Sequence, residues 1–180
     1  MRLDSIALAA SALTIAVPVL HVDVDGDGLA DTAGVSSGRL HVVTRSGDHS
    51  TAVPAHASLA GAMGVRGLHG VLVLVRIGSS RSVTDAVYRV TADGVRRVHV
   101  HGSAADALVQ TGGSGSFTDF DCGRAPLTVD QISATPVGRR WDETVLTYAL
   151  GVRGLVLQQV RRFSLSSQAA GIRRCAIVRR

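Results

Sequence analysis

Valine recurs along the whole chain in short apolar runs, and glycine-containing turns separate those runs. Branched side chains lose rotamer freedom in a helix and pack well on a pleated surface, so this pattern favours strands. Apolar residues make up 46% of the sequence but aromatic residues only 3%. The core must then be built from Val, Leu, Ala and Ile. A chain of 180 residues is long enough for one domain with a real hydrophobic core.

The strand signals can be placed individually. Residues 39–45 (Arg-Leu-His-Val-Val-Thr-Arg) lie between Ser37-Gly38 and Ser46-Gly47-Asp48, two turn signals. Val71-Leu72-Val73-Leu74-Val75 follows the turn Gly67-Leu68-His69-Gly70 and is apolar without interruption, as in a strand buried on both faces. Residues 86–90 pair with residues 95–100 across Ala92-Asp93-Gly94, a hairpin signal. A second hairpin joins residues 143–150 to 155–160 across Gly151-Val152-Arg153-Gly154. Helical periodicity is weak; residues 103–109 allow one or two helical turns. Residues 111–116 (Thr-Gly-Gly-Ser-Gly-Ser) read as a flexible link, and Asp119-Phe120-Asp121-Cys122 as a loop opening the next unit.

The expected fold is all-β, in roughly three units of about 40–45 residues, each with an opening loop, a buried strand and a hairpin. That period suggests propeller-type or related β repeats. Three units are fewer than a closed propeller uses, so a partial or compact variant, or a sandwich, is expected. The predicted domain covers residues 21–163, between an apolar N-terminal segment (1–20) and a basic tail (164–180).

Residues 5–20 carry no charge. The stretch is short for a spanning helix, which needs about 20 apolar residues. Its length and small residues suit the apolar part of a signal peptide, with Ala10-Ser11-Ala12 as a small-x-small pattern. Part of it, residues 13–22, can instead form a buried strand. The expected location is secreted or cell envelope. The two cysteines, Cys122 and Cys175, can pair in an oxidising compartment and tie the tail to the body.

Every one of the 19 basic residues is Arg. Residues 1–160 hold 13 Arg against 14 acids, whereas the last 20 residues hold six Arg and no acid. The body is close to neutral, without the basic face and stacking residues of a nucleic-acid binder. Membrane contact is expected only through the N-terminal segment or the basic tail.

Chemistry concentrates in Asp23-Val24-Asp25-Gly26-Asp27-Gly28-Leu29-Ala30-Asp31. Without a cation, carboxylates this close repel one another. Gly26 and Gly28 let the backbone turn sharply and enter positive φ. Such a loop can wrap oxygens around a hard cation, and Ca2+ suits it because it takes six to eight oxygens in irregular geometry. The predicted ligands are Asp23, Asp25, Asp27, the Leu29 carbonyl and Asp31. An EF-hand needs an acidic residue at position 12; Gly34 stands there, and the flanks look like strand ends. A plainer reading, Asx-type turns, accounts for one or two of these Asp residues rather than four.

The spacing Asp-x-Asp-Gly-Asp-Gly-x-x-Asp between strands resembles the calcium loop of FG-GAP/VCBS-type repeats, found in integrin-like β-propellers and in many secreted bacterial proteins. The resemblance covers residues 23–31 well; beyond it only the repeat outline is similar. Residues 61–100 look like a second, degenerate repeat, with Gly67-Leu68-His69-Gly70 in place of the acidic loop, and residues 119–163 like a third. The resemblance implies one structural calcium ion and a non-catalytic protein engaged with an envelope or extracellular polymer or protein.

Two alternatives are an envelope module held by an uncleaved N-terminal segment and a secreted hydrolase. No nucleophile elbow, zinc-protease motif or phosphate loop is present. Asp119, Asp121 and Asp142 are the carboxylates available for glycoside hydrolysis. His99-Val100-His101 on a strand puts both imidazoles on one face, as in part of a zinc or copper site; with no third ligand in the sequence, a solvated strand face is the simpler reading.

Overall fold

The computed structural model describes residues 18–78, 83–112, 116–166 and 177–179. All regular structure in them is β. Four strands, β1 (Val19–Val22), β2 (Asp31–Ser36), β3 (Arg39–Thr44) and β4 (Gly47–Ala52), form an antiparallel meander in sequence order. The other eleven are β5 (Ser58–Gly64), β6 (Val71–Arg76), β7 (Val83–Thr91), β8 (Gly94–Val98), β9 (Val100–His101), β10 (Leu108–Gly112), β11 (Phe117–Cys122), β12 (Thr128–Val137), β13 (Arg140–Gly151), β14 (Gly154–Leu165) and β15 (Ile177–Arg179). They make one sheet in the order β15-β5-β6-β7-β10-β11-β12-β13-β14-β9, with β8 also paired to β7. Neither sheet closes into a barrel. No helix occurs among the described residues, so none is long and apolar enough to cross a membrane.

Strand β6 explains how the sheets fit together. Its side chains alternate between faces, and both faces are apolar. Leu72 and Leu74 point into a cluster with Met63, Val87, Val100, Leu108, Phe120 and Tyr148. Apart from Val65, just past β5, every buried residue of that cluster lies on a strand of the large sheet, which curls around it. Val73 and Val75 point the other way, to Leu20, Ala33, Leu40 and Val42 of the four-stranded sheet and to Val24 of the loop between β1 and β2. A register shift between Leu59 and Gly61 in β5 accommodates the same division, with Ala60 in one cluster and Leu59 and Ala62 in the other.

Strand β7 has a divided edge. Residues 83–85 pair with β10 and residues 87–91 with β8. One residue after β8, the chain changes partner: β9 pairs parallel with β14, Val100 opposite Leu155 and His101 opposite Val156. Both expected hairpins are present, Thr91 facing Gly94 and Gly151 facing Gly154.

Three local expectations change. Residues 103–109 form no helical turn: Asp106 takes a left-handed backbone (φ 46°), and Ala107 and Leu108 are fully buried as β10 begins. The segment 119–122 is strand, not loop; β11 pairs with β12 and sets Asp121 opposite Asp130. The link at 111–116 is shorter than expected, because Thr111 and Gly112 pair with Thr118 and Phe117; residues 113–115 lie outside the described residues.

Strand β1 takes in Val19 and Leu20, and Leu20 is buried; residues 1–17 of the apolar segment lie outside the described residues. Within the expected basic tail, Ile177–Arg179 pairs with β5. Cys122 is buried and disulfide-bonded; Cys175, the chain's other cysteine, lies outside the described residues.

If β6 serves two cores, truncation on either face must be costly. Leu72→Ala is expected to lower stability by about 2–5 kcal/mol. Val73→Ala, on the opposite face, is expected to cost about 1.5–3 kcal/mol. Chemical denaturation measures both; a neutral result for Val73 would mean that the small sheet does not pack there.

Candidate metal centre

The acidic loop hangs from the end of the β1–β2 hairpin, where Val22 faces Asp31. Gly26 and Gly28 sit at φ 88° and 86°, where other residues are strained. The loop is wound on its own carboxylates. Asp23 Oδ1 accepts the Gly26 N–H at 2.6 Å and Asp23 Oδ2 the Gly28 N–H at 2.9 Å. Asp25 Oδ1 accepts from Asp27 N–H at 3.1 Å, and Asp27 Oδ1 from Leu29 N–H at 2.8 Å. Asx turns of the two-residue kind are therefore present at Asp25 and Asp27, while Asp23 reaches further along the loop to Gly26 and Gly28.

Those turns do not exhaust the carboxylates, each of which has about four acceptor sites. Ligand oxygens of Asp23, Asp25 and Asp27 lie within 4.8 Å of one another. None of the three forms an ion pair among the described residues. Like charges held this close favour a cation or a proton.

Asp31 lies at the base of the loop. It is only 3% exposed, and its Oδ2 accepts the Val24 N–H at 2.8 Å. Burial pushes its pKa above the ordinary 3.8; the charges of Asp25 and Asp27 push the same way, and backbone N–H bonds from Val24 and Asp25 offset part of the effect. Leu29 is on the outer limb, 49% exposed, with its N–H bound to Asp27. The structure thus gathers Asp23, Asp25 and Asp27 and sets Asp31 beneath them as a backbone anchor.

The turn Gly67-Leu68-His69-Gly70 supports the loop from outside its own hairpin. A Cβ on Gly70 would collide with the Val24 carbonyl oxygen, and one on Gly26 would come within 2.7 Å of the Gly70 nitrogen. The loop and this turn therefore meet backbone to backbone. An open cleft beside the loop is lined by Asp25, Gly26, Asp27, Arg45, Ser46 and Ala92. Gly70 and Arg45 carried no sequence signal for this role, because both are distant in the chain.

The other carboxylates are arranged differently. Asp119 Oδ1 accepts from Gln110 Nε2 at 2.7 Å, and Asp121 is buried with its Oδ1 accepting the Cys122 N–H at 2.8 Å. Asp119 faces Ile132 and Asp142 faces Thr135. Their Cα atoms are therefore roughly 14 Å apart, from strand rise and spacing. Because Ile132 and Thr135 are an odd number of residues apart on β12, the two carboxylates lie on opposite faces of the sheet, so they cannot flank one glycosidic bond. Comparison with protein-family models, curated proteins and solved structures finds no match to this chain.

Two outcomes test this geometry. Gly70→Ala meets both a left-handed φ of 77° and a collision with Val24, so it should cost about 2–4 kcal/mol. Gly28→Ala has open space around its Cβ and should cost only about 1 kcal/mol; equal losses in thermal denaturation would dismiss the backbone contact. The second outcome concerns pH. With its folded pKa raised, Asp31 binds a proton more tightly folded than unfolded. Its favourable contribution is present at low pH and is lost as pH rises from 3.8 through the folded value. In calcium-free solution Asp31→Asn should remove that downward slope of stability with pH; an unchanged slope would assign it to other groups.

Proposed function

We propose that this chain is an exported, non-catalytic β-repeat protein whose loop at residues 23–31 binds one structural calcium ion. The observation that carries the reading is the clustering of three carboxylates, with oxygens within 4.8 Å and no ion pair among the described residues, on a loop that their own hydrogen bonds to backbone N–H groups already hold in shape. One hard cation can bridge oxygens gathered this closely, and Ca2+ suits the loop because it takes six to eight oxygens at about 2.3–2.6 Å in irregular geometry. Asp23, Asp25 and Asp27 supply the charge, the Leu29 carbonyl and Asp31 complete the protein ligands, and solvent fills the rest. The ion neutralises the cluster and lowers the cost of keeping Asp31 ionised.

The small sheet supports the repeat reading, since a four-stranded antiparallel meander is the form of a propeller blade. On this reading β1–β4 with their loop are the one complete unit. Residues 61–100 and 119–163 are degenerate units, and the Gly67–Gly70 turn braces the loop. Export rests on the apolar N-terminal segment; cleavage after Ala12 would leave β1 whole. The occupied loop stiffens a surface that meets an envelope or extracellular polymer or protein.

Calorimetry on the full chain should show about one Ca2+ bound, with Kd on the order of 10⁻⁴–10⁻³ M, the range of extracellular modules. Free Ca2+ at ten times Kd should stabilise the fold by about 1.4 kcal/mol. Asp25→Ala/Asp27→Ala should abolish both effects. A melting curve unmoved by millimolar Ca2+ or by chelator would reduce the loop to a set of turns.

A further inference from the structure

A second cluster lies where the chain passes from β8 to β9, away from the acidic loop. His99 and His101 are both exposed on one side of this segment, with ring centroids 6.1 Å apart and planes tilted by 40°. Each ring is held by an acceptor. His99 Nδ1 is 2.8 Å from Asp106 Oδ2, and His101 Nε2 is 2.8 Å from the Arg153 carbonyl oxygen. A carbonyl, or a carboxylate in its ionised form, can only accept, so each of these ring nitrogens carries the proton. The remaining nitrogen of each neutral ring, Nε2 of His99 and Nδ1 of His101, then presents a lone pair.

We infer that His99 and His101 form a two-imidazole surface site for a late divalent transition metal, binding Cu2+ more tightly than Zn2+. The ring separation supports this. Two imidazoles on one ion at a metal–nitrogen distance of about 2.0–2.1 Å have centroids about 4.5 Å apart at a right angle, about 5.3 Å at a tetrahedral angle and about 6.5 Å when opposed, as in opposite equatorial positions of a tetragonal Cu2+. The observed 6.1 Å lies between these limits. Metal-binding histidines commonly donate their second N–H to a carboxylate or backbone carbonyl, which fixes tautomer and ring orientation. Here one ring has each kind of partner.

The backbone beneath the site is held from several directions. Pairing of β9 with β14 sets residues 100 and 101, and the Leu155 N–H binds the His99 carbonyl at 2.8 Å. Asp106, in its left-handed conformation, also accepts the Val100 N–H at 2.7 Å. Arg97 Nη2 lies 3.5 Å from the carboxylate that holds His99. That carboxylate is therefore already paired and acts as a positioning group rather than a ligand. With imidazole nitrogens alone on offer, Ca2+ and Mg2+ find no oxygen ligands, whereas Cu2+ and Zn2+ find donors that suit them. Solvent completes the coordination.

Titration of the full chain with Cu2+, followed by calorimetry and electron paramagnetic resonance, tests the site. One ion with two equatorial imidazole nitrogens is expected. His99→Gln and His101→Gln should each remove one nitrogen from the spectrum and weaken binding at least tenfold. Asp106→Asn should weaken it by about tenfold, the lower end for an orienting partner. Asp25→Ala/Asp27→Ala should leave Cu2+ binding intact, which separates this site from the calcium loop. Both histidines are exposed, and unchanged amide spectra will show that the Gln variants fold. No binding below about 0.1 mM, a single-nitrogen spectrum in the parent, or an affinity equal to the parent's in the His99→Gln/His101→Gln double variant would each overturn the assignment.

Discussion

Strand β6 belongs to two cores at once, and the arrangement of the molecule follows from that. A strand apolar on both faces needs cover on both faces. The large sheet supplies one cover by curling its own later strands round to Leu72 and Leu74. The four-stranded sheet supplies the other against Val73 and Val75. The turn that leads into β6 ends at Gly70, whose missing side chain admits the Val24 carbonyl. The same feature that joins the two sheets therefore sets the position of the acidic loop.

Within the loop, electrostatics and backbone hydrogen bonding oppose each other. Asp23, Asp25 and Asp27 are held close by the N–H groups they accept, and Asp31 is buried below them at a cost that shows in its raised pKa. Burial and like charge both favour a neutral carboxyl there. The backbone bonds maintain the loop's shape without cancelling its charge. The cluster at Asp106 is resolved differently: burial pushes its pKa up, but hydrogen bonds from His99 and Val100 and the charges of His99 and Arg97 prevail and bring it below 3.8. One cluster leaves oxygens facing a cleft, and the other uses its carboxylate to aim nitrogens.

Much of the strand content was legible in the sequence because its signals are local. The run at residues 71–75 has no polar residue to give to solvent, and it occupies a strand buried on both faces. Ala92-Asp93-Gly94 and Gly151-Val152-Arg153-Gly154 mark their hairpins because the turns need those residue types. The failures had other causes. Residues 103–109 allow helical turns by their sequence, but Asp106 bonds to His99 and Val100, contacts made through the fold. Asp119 and Asp121 looked like loop residues because strands seldom bury carboxylates; partners such as Gln110 and the Cys122 N–H make it tolerable.

By itself, then, the sequence determined the β class, the hairpin positions and the acidic spacing of residues 23–31, since alternation, turn chemistry and charge clustering operate over a few residues. The tertiary structure alone decided which strands share a sheet, that β7 divides its edge between β8 and β10, and that Gly70 meets Val24. It also decided that Asp106 and Arg153 orient the two histidines. Those choices depend on contacts between residues far apart in the chain, where side-chain volume and unpaired backbone groups are balanced across the whole core and no local pattern records the result.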